Sequence, residues 1–239
     1  MRRAGFALAL VFLAAVAPPA LAGEYEPGTV PPEAATPVRS SGRVLHAGPG
    51  GLQIAIDHAR PGDTIRIAPG SYRGDVEIRG ASKRGLRLLG DRVTLRGRVR
   101  VRDSSAITIE GLRIDGSLEL DRVDRYVLER LRVRGSSGAG IGVRRSLGGR
   151  IARVLSSGNA GPGIAIAATP DAPRAVRTFV RESTVADNAV GIALSGVRAV
   201  TISRVRVLRN AVPIAEDGVA DVTLAGCVIT PSASPSGRR

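Results

Sequence analysis

Glu77, Arg100 and Glu119 are the residues of this chain best suited by type and spacing to do chemistry. Each is the middle residue of an apolar-x-apolar triplet: Val76-Glu-Ile78, Val99-Arg-Val101 and Leu118-Glu-Leu120. Successive side chains of extended backbone point to opposite sides, so the outer pair turns inward and the charged residue faces out. Stacked as neighbouring strands, the three charges would stand roughly 4.8 Å apart. A carboxylate could then take a proton while the arginine stabilises the negative charge that develops. The same column also reads as an ion-pair ladder, because opposite charges on adjacent strands attract. Arg79, Arg102 and Asp121 flank it.

A second set is Arg113, Arg132 and Arg206, outward residues of one strand column that Leu155, Thr184 and Val228 interrupt. Exposed arginines of this kind attract a polyanion. Glu110 and Glu129 fall one rung apart, and stacked carboxylates suit Ca²⁺. Arg113, Arg130 and Arg132 crowd the same surface and would compete with a metal, so structural pairing is the reading adopted and no metal site is expected. A single Cys rules out a disulfide framework and a Cys-based zinc site, and His46 and His58 are too few for a histidine cluster. There is no Trp and only 3% of residues are aromatic. Sugar stacking on an aromatic platform is therefore not expected. Nor is a nucleic-acid partner, which would call for aromatics interleaved with the basic residues.

The 239 residues carry 35 Lys+Arg against 21 Asp+Glu, a formal net charge of +14. All of the basic residues but Lys83 are arginine. Two readings of this excess stand side by side: a nucleotide composition that writes arginine for lysine, or attraction to a polyanion such as an acidic polysaccharide.

The elements that must position these residues repeat. Ile109, Leu128, Ile151, Val180, Ile202 and Leu224 are equivalent positions spaced 19, 23, 29, 22 and 22 residues apart. A period near 22 with alternation inside each unit implies stacked coils. One coil divides into Val200-Thr-Ile202, Val205-Arg-Val207 and Pro213-Ile214-Ala215, with Ser203-Arg204 as a tight turn. Thr169-Pro-Asp-Ala-Pro173 is a loop insertion in the longest unit. Asn159, Asn188 and Asn210 form a column shared in other coils by Ser117, Ser136 and Ser232. Asparagine tolerates left-handed turn geometry, and its amide can bond to the next rung. Cys227 aligns with inward Val205 and Leu131 and is expected to be a core thiol.

The ends read differently. Residues 1–22 have Arg2 and Arg3, an apolar run from Gly5 to Val16, and Ala20-Leu21-Ala22, the pattern of a cleaved signal peptide too short to span a bilayer. Export to the periplasm or beyond is expected, with no membrane insertion after cleavage. Residues 23–42 contain four Pro and read as an unstructured leader, 43–230 as the ordered domain and 231–239 as a polar tail.

In the first coil Leu52, Ala55, Ile56 and Ala59 form the apolar stripe of a short helix, with His58 on its polar side, before Pro61-Gly62 turns into Ile65-Arg-Ile67. This cap followed by coils over 43–230 resembles the pectin-lyase-like superfamily. The resemblance implies an all-β, right-handed, single-stranded parallel β-helix of about seven coils with a short N-terminal capping helix. It also implies a ligand groove along the face whose outward residues are Glu77, Arg100, Glu119, Gly142, Ala165, Ala193 and Ala215. The last four cannot transfer protons, and the paired-aspartate, Gly-His-Gly, Arg-Ile-Lys and Asp-Pro-His-Asp motifs of catalytic members do not occur in this sequence. The expected function is a binding scaffold that engages acidic polysaccharide and needs no cofactor. The alternative is a lyase or epimerase of uronate polymers, with catalytic Glu77, Arg100 and Glu119 and Ca²⁺ admitted only in that case.

Overall fold

The inward half of each triplet forms the core. Ile109, Leu128, Ile151, Val180 and Ile202 are all fully buried and lie in direct parallel register from one coil to the next. The structure is a computed structural model that describes residues 42–168 and 177–231. It is a right-handed parallel β-helix of about eight turns. The expected signal peptide, the expected leader up to residue 41, the Thr169–Pro173 insertion and Ser232 fall outside the described residues.

Each coil contributes up to three strands. The first and second faces are joined in one 15-stranded sheet, and the third face is a separate sheet of seven strands. The expected seven coils correspond to the seven rungs of that third face. The second face carries one rung more, ending in Val228–Pro231, and the first carries two more, beginning with Val44–Ala47 and ending in Ala220–Ala225. In rung order the third face runs through Val76–Arg79, Val99–Ser105, Leu118–Asp124, Ile141–Arg144, Pro162–Ala167, Val190–Ser195 and Val212–Asp217.

Few aromatic side chains suit such thin layers, and the ring that is wholly enclosed needs a gap. Tyr126 is fully buried, and a Cβ placed on Gly149, its partner on the next rung, would come within 2.1 Å of its ring. The phenol meets Thr178 Oγ1 at 3.3 Å one rung further. Burial pushes its pKa up to about 12.

Asn159, Asn188 and Asn210 form a buried amide ladder. Asn159 Nδ2 donates to Asn188 Oδ1 at 2.8 Å, and Asn188 Nδ2 to Asn210 Oδ1 at 2.9 Å. Each acceptor oxygen also takes the backbone N–H of the asparagine before it. The left-handed residues are not these asparagines but their predecessors: Gly158 (φ 63), Asp187 (φ 57) and Arg209 (φ 50). The turn thereby frees the asparagine to point inward, where its amide replaces backbone partners that a corner removes.

Two further expectations are corrected at the C-terminal end. In the last third-face strand Ile214 pairs with buried Ile192 and Ala215 with outward Ala193, so the triplet is Ile214-Ala-Glu216, one residue later than Pro213-Ile214-Ala215. Cys227 is only half-buried, because the described residues place no coil over it.

The N-terminal end is closed. Helix α1 (Leu52–His58) packs Leu52 and Ile56 onto the first coil and leaves His58 exposed. Lys83, itself buried, donates from Nζ to the carbonyls of Asp57 and Ala59 at 2.8 Å each, which satisfies the end of that helix.

Candidate functional site

The third face presents the expected outward column in unbroken register: Glu77 opposite Arg100, Arg100 opposite Glu119, then Gly142, Ala165, Ala193 and Ala215. Its charges are not paired as a simple alternation. Arg100 lies 3.6 Å from Asp75 and 3.9 Å from Glu119, and Arg144 lies 3.9 Å from the same Glu119 oxygen. Ser117 Oγ donates to Glu119 at 3.2 Å. Glu77 stands outside this set, its backbone engaged by Gln53 of α1. The three proposed catalytic residues are thus neighbours in register, but only Arg100 and Glu119 approach one another.

Two positions further along each strand, a second column runs Arg79, Arg102, Asp121, Arg144 and Ala167. The turn residues beyond it, Asp103, Arg122 and Arg145, are held left-handed at φ 53, 54 and 50, which swings their side chains beside the column. Together with Ala168 these residues line a groove of about 550 Å³. It contains five Arg against two Asp, a net charge of +3.

Both aspartates are engaged. Asp121 accepts from Arg145 Nε at 2.8 Å and Nη2 at 2.5 Å, and Arg122 pairs closely with Asp103. The Arg145 hydrogen bonds hold the Asp121 carboxyl below the usual carboxylate range, and Arg122 does the same to Asp103. Neither is suited to act as a base. The remaining arginines are much freer. Arg79 comes no nearer to Asp103 than 3.9 Å, and Arg144 no nearer to Glu119 than 3.9 Å. Arg102 makes no salt bridge among the described residues, although it faces Arg79 in direct register.

The stripe Arg113, Arg132, Arg206 is only partly assembled. All three are exposed, and Arg113 and Arg132 are register partners. Leu155 and Thr184 separate Arg132 from Arg206, a gap of roughly 14 Å at strand spacing. Arg113, Arg132 and Arg134 share a groove of about 210 Å³ with Leu155 and Ser157 that does not include Arg206. Arg134 there is bound to Asp115 at 2.7 Å. Glu110 and Glu129 are register partners as expected, and arginines occupy both: Arg130 on Glu110, Arg150 at 3.0 Å and Arg153 on Glu129. Among the described residues no group of three or more His, Cys, Asp or Glu is arranged to hold a metal.

Sequence reasoning named Arg79, Arg102 and Asp121 only as flanking residues and missed Asp103, Arg122, Arg144 and Arg145. The signal lay in reading the residue two places after each outward position, a column that is charged through its first four rungs.

No protein-family model matches the chain, and no curated protein matches it. Solved structures do. Pectate lyase Pel9A superposes with a TM-score of 0.59 at 11% identity, over 70% of this chain and 54% of that one. ORF18 of Geobacillus virus E2 superposes with a TM-score of 0.61 at 10% identity, over 77% of this chain and 46% of that one. The chain therefore spans about half the length of either. At such identity the likeness is one of fold.

Proposed function

We infer that the chain is an exported β-helix binding protein that engages acidic polysaccharide through the groove lined by Arg79, Arg102 and Arg144. The observation that supports this most is the register pairing of Arg79 with Arg102. Like charges directly opposite destabilise a sheet, and an anion held between the two guanidinium forks removes the penalty. Planar forks suit carboxylates, which they bind bidentately. Beside the groove, Gly142, Ala165 and Ala193 form a smooth shelf along which a polymer can lie. The fold shared with a pectate lyase fits a polysaccharide ligand. No helix among the described residues is long and apolar enough to cross a membrane.

A second reading, a uronate lyase or epimerase, draws on Arg100. Its Nε is buried without a hydrogen-bond partner, and Glu119 is its neighbour on the next rung. The two readings separate by experiment. Pectate and alginate are titrated against the protein by calorimetry; with and without Ca²⁺, cleavage is followed by the ultraviolet absorbance of unsaturated uronate and epimerisation by exchange of the uronate C5 proton with solvent. Binding without cleavage or epimerisation, lost in the Arg79→Ala/Arg102→Ala/Arg144→Ala variant, supports the binding reading. Turnover abolished by Arg100→Ala replaces it with the second, and no association with either polymer sinks both.

A further inference from the structure

The ion pairs of this helix have a direction. Apart from the Arg43–Asp63 clasp at the N-terminal cap, the inter-coil pairs at 3.0 Å or less among the described residues all run one way. The carboxylate stands on one coil and its arginine on the coil laid over it toward the C-terminus. Asp115 with Arg134, Glu182 with Arg204 and Asp187 with Arg209 are examples. Each acid is neutralised by the following rung.

The turn formed by residues 211–231 interrupts this series. It carries Glu216, Asp217 and Asp221 and no Lys, Arg or His, whereas residues 189–210 beneath it carry four Arg and no acid. Among the described residues no coil lies over it. Glu216 occupies an inward position, in register with buried Leu194. Leu224 and Ile229 are 46% and 43% exposed, whereas Ile202 and Val207, their counterparts one coil earlier, are fully buried. Among the described residues the last strand of every face pairs on one side only, so its outer row of backbone donors and acceptors has no strand partner there.

We propose that this C-terminal end is a docking site for a basic, extended segment of a partner protein, which adds a further rung by parallel strand addition. The segment sets apolar side chains on Leu224 and Ile229 and arginine or lysine against Glu216, Asp217 and Asp221, continuing the directional pairing. A second copy fits poorly. Joined tail to tail, it opposes like carboxylates, and its other end is covered by α1. Residues 232–239 of the chain itself hold Arg238 and Arg239 but no Val, Ile, Leu, Met or Phe to cover the apolar edge.

The probe is a synthetic peptide with the sequence of residues 190–210, one full turn rich in arginine. Its binding to the whole chain is read by fluorescence anisotropy, and the alkylation rate of half-buried Cys227 reports coverage of the edge. The expected result is binding with slowed alkylation, weakened by more than about tenfold in Glu216→Arg/Asp217→Arg/Asp221→Arg, a change in exposed residues that keeps the parent melting temperature. Equal binding by that variant, or by a composition-matched peptide with its alternation scrambled, overturns the proposal. So does a concentration-dependent dimer that protects Cys227 without peptide, which assigns the edge to a second copy. Faster alkylation on deleting residues 232–239 also overturns it, by assigning the edge to the chain's own tail.

Discussion

Gln53 and Glu77 are joined as two strands would be. The Gln53 amide oxygen accepts the Glu77 backbone N–H at 2.9 Å, and its nitrogen donates to the Glu77 carbonyl at 3.0 Å. A single side chain thus supplies the backbone partners that a preceding rung would have given the third face. Gln53→Ala leaves both groups of Glu77 to water at the exposed sheet edge and is expected to cost about 0.5–1.5 kcal/mol. Chemical denaturation measures the loss, and hydrogen exchange at the Glu77 amide should accelerate with it. An unchanged exchange rate would show that the contact is dispensable.

Lys83 secures the same cap from the other side. Its ammonium reaches two carbonyls from a buried site in a chain that otherwise uses arginine throughout. Lys83→Met should lower stability by about 1.5–3 kcal/mol, the scale of a charge-assisted hydrogen bond. Lys83→Arg should not restore it, since a planar guanidinium does not fit where a compact ammonium donates to two converging carbonyls. Full stability in the arginine variant contradicts this account of the one lysine.

The core column was legible in the sequence because inward positions recur whatever the turns do between them. Ile109, Leu128, Ile151, Val180 and Ile202 keep register across spacings from 19 to 29 residues. Reading failed where that logic is suspended. Glu216 breaks the apolar-x-apolar pattern at an inward position, so the last triplet was placed one residue early. The groove was seen only in part because Arg122 and Arg145 act from left-handed turns, whose direction alternation does not report. The ladder contact of Arg100 with Glu119 was legible, but its turn to Asp75 was not, since Asp75 lies in the turn before Val76–Arg79.

Alternation itself can be tested on neighbouring residues. Ile202 is fully buried between Val180 and Leu224, whereas Thr201 faces outward between Phe179 and Thr223. Ile202→Asp buries a carboxylate without a partner and should cost more than about 4 kcal/mol, enough to abolish cooperative melting. Thr201→Asp should remain folded. Similar melting curves for the two variants would contradict the alternation.

Acid should unfold this protein in a defined window. Burial raises the Asp63 pKa, but hydrogen bonds from the Arg43 side chain and from the Arg60 and Arg43 amides outweigh it, and the net shift is downward. Hydrogen bonds from Arg134, Arg145 and Arg209 lower Asp115, Asp121 and Asp187 in the same direction. A carboxyl with a depressed folded pKa contributes stability above its unfolded value, about 3.9 for Asp, and loses it as pH falls through the folded value. Stability should be level from neutral pH to about 5 and should fall below about 4. Asp63→Asn should flatten that fall, as followed by urea midpoints across the pH series. A loss that sets in on the alkaline side would show the linkage has the wrong sign.

Stability and binding should move in opposite directions at the arginine groove. If Arg79 and Arg102 repel one another while they await an anion, Arg79→Gln relieves the repulsion. It should leave the free protein as stable as the parent or more stable by about 0.2–1 kcal/mol, while weakening its hold on pectate or alginate. The association is electrostatic, so it should decline steeply as salt shortens the Debye length from about 10 Å at 0.1 M. Arg113, Arg132 and Arg206 serve as the comparison. They are exposed, and substituting them together should change stability little. Arg206 stands apart from the other two, so this triple should weaken polyanion binding less than Arg79→Ala/Arg102→Ala/Arg144→Ala. Neutral glucans should bind neither variant nor parent, because the described surface has no aromatic platform. Should the Arg113, Arg132 and Arg206 triple prove the more damaging, the stripe on the second face is the site and the groove is not. Should the parent bind no polyanion even at low salt, the arginine excess records nucleotide composition rather than function.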